Sequence, residues 1–449
     1  MSTRSTALEN VMEILENGKP LHVVLSRSLA LFTDANERAF VSRLTRGTVE
    51  RKLTLDRIID AKSKVKTDKQ KPVIRNILRC GVYQILYMDA VTDFAACNEA
   101  VRLAGRRGLK QLGGFVNGVL RAVCRDKEIR NEIEDSLSVK YSMPQWIVDE
   151  WTERFGVTET EEAFRYFFEE NGIPVRCNIS KISPRELRAG LKERGIEITD
   201  DGITEKCMKI SVHSSLDSID WFRQGFFVVQ DASSVMAGMI RQQIIDDLKK
   251  DGNVPEALDL CAAPGGKSLN LADMGIAVTA CDLTESKTKL IREAVNRCGF
   301  NNITVTENDA SVFNADFAGR FDLVVCDLPC SGLGIIGKKP DIKYNMTPEK
   351  QAELTGLQKS ILDNAVKYIK PGGYLIYSTC TVNRAENEEM AEYIAAHSGM
   401  QSYPLHDLPD KIREEYDKNC YVQLLPGEFG TDGFFISGFR KMPAMSGND

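Results

Sequence analysis

The 449-residue sequence has no Cys-x-x-Cys pair and only four histidines, His22, His213, His397 and His406. Zinc centres draw on clustered cysteine and histidine, so no metal site is expected. The twelve cysteines are scattered rather than dense. That excludes a small disulfide scaffold and reads as reduced thiols in a cytoplasmic protein. No apolar run approaches the roughly 18 to 20 residues of a membrane span. Glu9, Glu13 and Glu16 fall where a secretory signal would need an apolar core, so neither a leader nor a membrane partner is expected. Disorder is excluded too, because 43% of the residues are hydrophobic and 27% charged.

A strong charge of one sign is also missing: 58 Lys and Arg stand against 64 Asp and Glu, a net of −6. Uniformly spread, that balance would argue against a nucleic-acid partner. It is not uniform, because residues 1–140 carry a basic excess and the remainder an acidic one. A basic module joined to an acidic one makes nucleic acid the natural partner of the first, although a solvated basic helical surface would give the same count. The length calls for two or three cores.

Residues 1–140 read as helices throughout. Phe40, Leu44 and Leu55 recur at helical spacings among Arg43, Arg46, Arg51, Lys52 and Arg57. Pro72 starts a segment whose buried face is Ile74, Ile77, Leu78, Val82, Ile85 and Leu86, and a third runs from Gly114 to Val123. Arg102, Arg106, Arg107 and Lys110 read as a loop before it. Residues 141–235 read as a connecting helix, opened by Met143 and Pro144, and a small α/β subdomain without evident chemistry. From 236 to 449 apolar strands at 257–261, 277–281, 303–306, 321–326 and 373–378 alternate with helical stretches. A doubly wound, mainly parallel Rossmann-like sheet follows, closed by an antiparallel hairpin at 421–425 and 433–439. Ligands of such sheets sit beyond the carboxyl ends of the strands.

The first of those strands runs into Cys261-Ala-Ala-Pro-Gly-Gly-Lys267, a turn whose glycines let backbone approach a ligand. A phosphate-binding P-loop would need glycine where Cys261 stands, and no G-x-G-x-x-G occupies this turn. That fingerprint occurs at Gly332-Leu-Gly-Ile-Ile-Gly337, but Lys338-Lys-Pro340 follows, so no helix can start there and it is a decoy. Asp282, Asp309 and Asp327 close successive strands. A carboxylate at such a tip suits ribose hydroxyls, although aspartate also caps helices. With phosphate patterns absent, S-adenosylmethionine is the ligand that fits best.

Cys330 in Asp327-Leu-Pro-Cys330 and Cys380 in Ser378-Thr-Cys380 lie in loops at the same edge, whereas Cys281 and Cys326, inside strands, read as small buried hydrophobes. Thiols here have a chemical reason. Carbon 5 of cytosine is too weakly nucleophilic to take a methyl group directly, and a thiolate adding at carbon 6 makes it enamine-like. Asp327 is placed to contact the base's ring nitrogen and amino group, which would call for a raised carboxyl pKa.

The segments Val73-Ile-Arg-Asn-Ile-Leu-Arg79, Gly81-Val-Tyr-Gln-Ile-Leu-Tyr87 and Gly114-Phe-Val-Asn-Gly-Val-Leu-Arg121 resemble the NusB-like RNA-binding domain. Phe227-Val-Val-Gln-Asp-Ala-Ser-Ser234, the turn ending at Lys267, Asp327-Leu-Pro-Cys-Ser-Gly332, Pro340-Asp-Ile-Lys343 and Tyr377-Ser-Thr-Cys380 resemble RNA 5-methylcytosine methyltransferases of the NOP/Sun type. The resemblance implies a nucleophile at Cys380, help with product release from Cys330, and a cytidine of 16S rRNA as substrate. It also implies S-adenosyl-L-methionine held by Cys261, Ala262, Ala263, Pro264, Gly265, Gly266, Lys267, Asp282, Asp309 and Asp327. The family commonly has a basic pair just before Lys339, where this chain has Gly337 and Lys338. Lys338, Lys339, Lys343 and Tyr344 are still expected to meet phosphates and a base face. A monomer is expected. A non-catalytic RNA-binding or assembly factor would explain the basic half without the turn and thiols, and an enzyme methylating an amino group would need no thiols.

Overall fold

A computed structural model describes the chain except for residues 1, 134–135, 170–171, 200–203, 213–214, 250–253, 398, 404–409, 411, 413–420 and 444–449. His213 and His406 thus lie outside the described residues. Contacts divide the chain into two units, one of Met1–Phe168 with Ile336–Thr347, the other of Glu169–Ile335 with Pro348–Asp449.

The first unit is helical, with no strand among its described residues. Its helices start where short polar side chains accept otherwise unpaired N–H groups: Ser2 caps Thr3–Leu15, Asp34 caps Ala35–Glu50 and Thr92 caps Asp93–Arg106. Pro72, with no N–H to satisfy, occupies the first turn of Pro72–Tyr87. Leu8, Val11, Leu44, Leu55, Ile77, Leu78, Val116 and Leu120 form one core. The basic stretch around residue 50 is two helices, Ala35–Glu50 and Lys52–Lys62, interrupted at Arg51. Arg102 and Arg106, read from the sequence as loop, are exposed on Asp93–Arg106, because Leu103 and Ala104 turn into the core and carry the helix on.

The segment 336–347 corrects another expectation. Lys343 is 1% exposed, and its Nζ donates to the Glu50 carbonyl at 2.8 Å. Tyr344 Oη shares a hydrogen bond with Ser142 Oγ at 3.0 Å, and Asp341 accepts from Leu21 N at 3.2 Å. Lys343 and Tyr344 are therefore part of the helical unit's interior rather than a solvated, phosphate-facing loop.

The second unit contains two sheets. In the smaller, β1 (Ile173–Cys177), β2 (Glu197–Thr199), β3 (Cys207–Ser211) and β4 (Phe227–Val229) are antiparallel in the order β2-β3-β1-β4. The helix Pro184–Glu193, opened by a capping box of Ser183 and Glu186, buries Leu187 and Leu191 against it. The larger sheet comprises β5 (Glu256–Asp259), β6 (Ala277–Asp282), β7 (Ile303–Glu307), β8 (Phe321–Asp327), β9 (Ile369–Thr379), β10 (Met400–Ser402), β11 (Tyr421–Leu424) and β12 (Phe434–Lys441). Its order is β10-β12-β9-β8-β5-β6-β7, with β11 on β12. β5 to β9 pair in parallel, and β10 to β12 are antiparallel. The chain winds outward in both directions from the β5–β8 pair, so the crevice for a ligand opens at their carboxyl ends. Apolar clusters lie against the sheet, one built around Val325 and Ile376, another around Val324 and Leu375, as alternate strand residues require.

Candidate active site

β5 leads from Asp259 into the turn and the helix Gly266–Asp273. Gly265 has φ +111°, a conformation side chains rarely adopt, and its N–H closes the turn on the Ala262 carbonyl at 2.7 Å. Asp259, wholly buried, accepts from Ser268 Oγ at 2.6 Å and ties strand to helix. At the end of β6 the buried Asp282 accepts from Ala263 N at 3.0 Å and Leu283 N at 2.8 Å, and meets Lys287 Nζ at 2.9 Å. Asp309, past β7, is exposed and accepts from Ser311 N and Oγ at 2.9 and 2.6 Å.

A cavity opens at this edge. Cys261, Ala262, Ala263, Pro264, Gly266, Lys267, Asp327 and Cys380 line it, while Gly265, Asp282, Asp309 and Cys330 do not. Gly265 and Asp282 instead shape the turn. Residues given no individual role from the sequence also line the cavity, notably Gln230, Asp231, Ser233 and Ser234, which follow β4, and Asp432 and Phe434 around the start of β12. The run Gln230-Asp-Ala-Ser-Ser234 held the available signal, because small polar residues directly after a strand commonly face a site.

The lining carries the carboxylates of Asp231, Asp259, Asp327 and Asp432 and the single ammonium of Lys267. That electrostatic balance disfavours a polyphosphate and suits a ligand bearing its own cationic sulfonium and ammonium groups. The donor set therefore fits S-adenosylmethionine, with Ala263 and Gly266 in the same lining. Lys267 ion-pairs with Asp327 Oδ2, and Ser378 Oγ donates to Asp327 Oδ1 at 2.9 Å, so neighbours engage both carboxylate oxygens.

Cys330 and Cys380 are brought together, Sγ to Sγ, at 3.4 Å. Hydrogen bonding to Cys380, reinforced by burial, pushes the Cys330 thiol well above its ordinary range. Cys330 thus holds its proton beside Cys380. Cys281 and Cys326 are wholly buried in their strands, and burial raises both thiols. The Gly332 to Gly337 fingerprint has a packing role at its centre. Gly334 N donates to the Cys380 carbonyl at 3.0 Å, Gly433 N donates to the Gly334 carbonyl at 3.0 Å, and a Cβ on Gly334 would lie 2.2 Å from the Gly433 carbonyl oxygen. Among the described residues no group of three or more His, Cys, Asp or Glu side chains could hold a metal ion, and no helix is long and apolar enough to cross a membrane.

Comparison with known proteins extends these observations. Residues 247–440 match the model of the 16S rRNA methyltransferase RsmB/F family, and residues 1–125 that of the NusB family. The chain is 34% identical to a probable ribosomal RNA small subunit methyltransferase B of Bacillus subtilis, across 98% of this chain and 99% of that one. A Synechocystis protein of the same description is 32% identical over 90% and 91% of the two chains. Among solved structures, PH0851 has a TM-score of 0.77 at 23% identity, covering 97% and 99%. NSun6 from Pyrococcus horikoshii, solved with SFG, has a TM-score of 0.56 at 18% identity, covering 67% of this chain and 99% of that one.

Proposed function

The chain belongs to the ribosomal RNA small subunit methyltransferase B family, and from that premise we propose that it methylates carbon 5 of a cytidine in 16S rRNA through a covalent cysteine–cytosine adduct. It is an S-adenosylmethionine-dependent rRNA methyltransferase. Ala262, Ala263, Pro264, Gly266 and Lys267 would hold S-adenosylmethionine, which would supply an electrophilic methyl group when bound.

Cys380 lines the cavity and is the nucleophile: its thiolate bonds to carbon 6 of the target base and turns carbon 5 into a competent nucleophile. Asp327 faces the same cavity and contacts the base's polar edge, held in place by Lys267 and Ser378. After methylation the carbon 5 proton leaves to a base and the bond to Cys380 breaks. Cys330, 3.4 Å away, assists that release. A base inside a stacked helix cannot reach these groups, so the cytidine is single-stranded or extruded. The basic helical residues 1–140 supply RNA affinity, and 236–449 the chemistry.

The observation carrying this reading is Cys380 in the lining of an anionic cavity fitted to S-adenosylmethionine, with the Cys330 sulfur 3.4 Å from its own. Mapping 5-methylcytosine in 16S rRNA from cells with and without the protein tests it. One position should lose its mark when the protein is absent. An unchanged map, or loss of a different methylation, would overturn the cytosine carbon 5 assignment.

A further inference from the structure

Two neighbouring residues outside the cavity lining bond, directly or through Gln358, the residues on both sides of both cysteines. Glu386 and Asn387 are each wholly buried. The Glu386 Oε2 accepts from Ser331 N at 2.8 Å and from Gln358 Nε2 at 3.2 Å. That Gln358 amide also donates to the Pro329 carbonyl at 2.9 Å. Cys330 is thus gripped from its preceding carbonyl and its following N–H. Asn387 holds the residues flanking Cys380 differently: the Thr379 side-chain hydroxyl donates to its Oδ1 at 2.6 Å, and its Nδ2 donates to the Thr381 carbonyl at 3.0 Å. A bond of 2.8 Å between Ser331 Oγ and Thr381 Oγ1 ties the two loops together.

We propose that Glu386 and Asn387 are positioning residues that set Cys330 and Cys380 against each other, Glu386 governing Cys330 and Asn387 governing Cys380. The proposal rests on the cysteine mechanism above. A buried carboxylate is costly unless its bonds are needed, and here they reach the residue after Cys330 directly and the residue before it through Gln358. The side chains of Glu386 and Asn387 follow each other in the chain, so one short turn aligns loops that come from two different strands.

The roles separate experimentally in the full-length protein with rRNA and S-adenosylmethionine. Glu386→Ala should behave like Cys330→Ala, lowering turnover about a hundredfold while a covalent protein–RNA adduct accumulates on denaturing gels. Asn387→Ala should behave like Cys380→Ala, with turnover lost and no adduct. Glu386→Gln keeps an acceptor for Ser331 N and should restore turnover and clear the adduct. A purely structural role would depress adduct in both alanine variants alike, and that result would overturn the proposal.

Sulfur proximity is also readable without RNA. The thiol oxidant diamide takes two electrons and two protons from a close thiol pair, leaving a disulfide. Cys330–Cys380 coupling should slow about tenfold or more in Glu386→Ala and Asn387→Ala, and in Gln358→Ala should either alanine variant fail to fold. Unchanged rates would overturn the positioning role. If Cys330→Ala traps no adduct, the cysteine mechanism fails, while the diamide rates still decide whether Glu386 and Asn387 position the pair.

Discussion

Among the described residues each unit contains one pair of close thiols. In the helical unit Cys97 and Cys124 lie Sγ to Sγ at 3.7 Å, and in the other Cys330 and Cys380 lie at 3.4 Å. Their surroundings differ. Cys97 belongs to the apolar core with Leu103 and Leu120, Cys124 packs against that core, and burial followed by Cys97 pushes the Cys124 thiol up to about 12. Cys330 and Cys380 follow parallel strands at the sheet's ligand edge, Cys380 lines a cavity, and both have hydrogen-bonded residues on either side. Distance between thiols alone is therefore no mark of chemistry. A cavity, a polar frame and a place at the strand ends distinguish the pair proposed to react from two cysteines proposed to serve as packing.

The sharpest way to break that contrast is to delete one thiol from each pair. Cys380→Ala should lower methyl transfer by roughly 10⁴-fold or more, the scale on which removal of a covalent nucleophile acts. Cys124→Ala should leave turnover unchanged. Comparable losses from both, in rRNA methylation assays, would erase the distinction. A smaller effect is expected at Lys267, which lines the cavity with Cys380. Lys267→Met removes the ammonium beside Asp327, and S-adenosylmethionine binding should weaken roughly tenfold to a hundredfold, as for one charged hydrogen bond. Equilibrium dialysis measures it, with rRNA affinity as the quantity that should hold still.

The smallest expected effect belongs to the helical unit. Burial lowers the Lys343 ammonium to about 7, the Glu50 carboxylate only partly opposing it, against about 10.4 for lysine in an unfolded chain. Between those values the unfolded chain binds more protons, so stability rises with pH across that window. The penalty of burying Lys343 is full below pH 7 and fades toward pH 10. Lys343→Met should therefore be more stable than the parent by roughly 1–3 kcal/mol at pH 6, with the advantage shrinking as pH rises. Denaturation at several pH values checks the slope, and a constant difference would contradict it.

The sequence made the parallel sheet legible because its central strands are apolar runs that end in aspartate or enter a glycine turn. It missed β10, whose Gln401 and Ser402 are exposed and whose three residues carry no alternation. Cys330 and Cys380 were legible from their place after strands. Glu386 and Asn387 were not, because Asn383-Arg-Ala-Glu-Asn-Glu-Glu389 reads as a solvated charge run and only the folded chain shows which polar side chains turn inward. Lys343 and Tyr344 were misread for the same reason: Lys343 has a backbone carbonyl to bond, and the Tyr344 hydroxyl bonds Ser142. Asp309 lies outside the cavity lining. It stands at a strand end as the pattern requires, and its Oδ1 accepts from Ser311 N and Oγ in an exposed turn.

The central claim is a bond between one sulfur and one base carbon. Cys330→Ala incubated with rRNA and S-adenosylmethionine, then digested with nuclease and protease and analysed by mass spectrometry, reads that bond directly. The expected product is the Cys380 peptide carrying a methylated cytosine nucleotide through its thiol. A nucleotide on any other residue, or methylated RNA with no linked peptide, would contradict it.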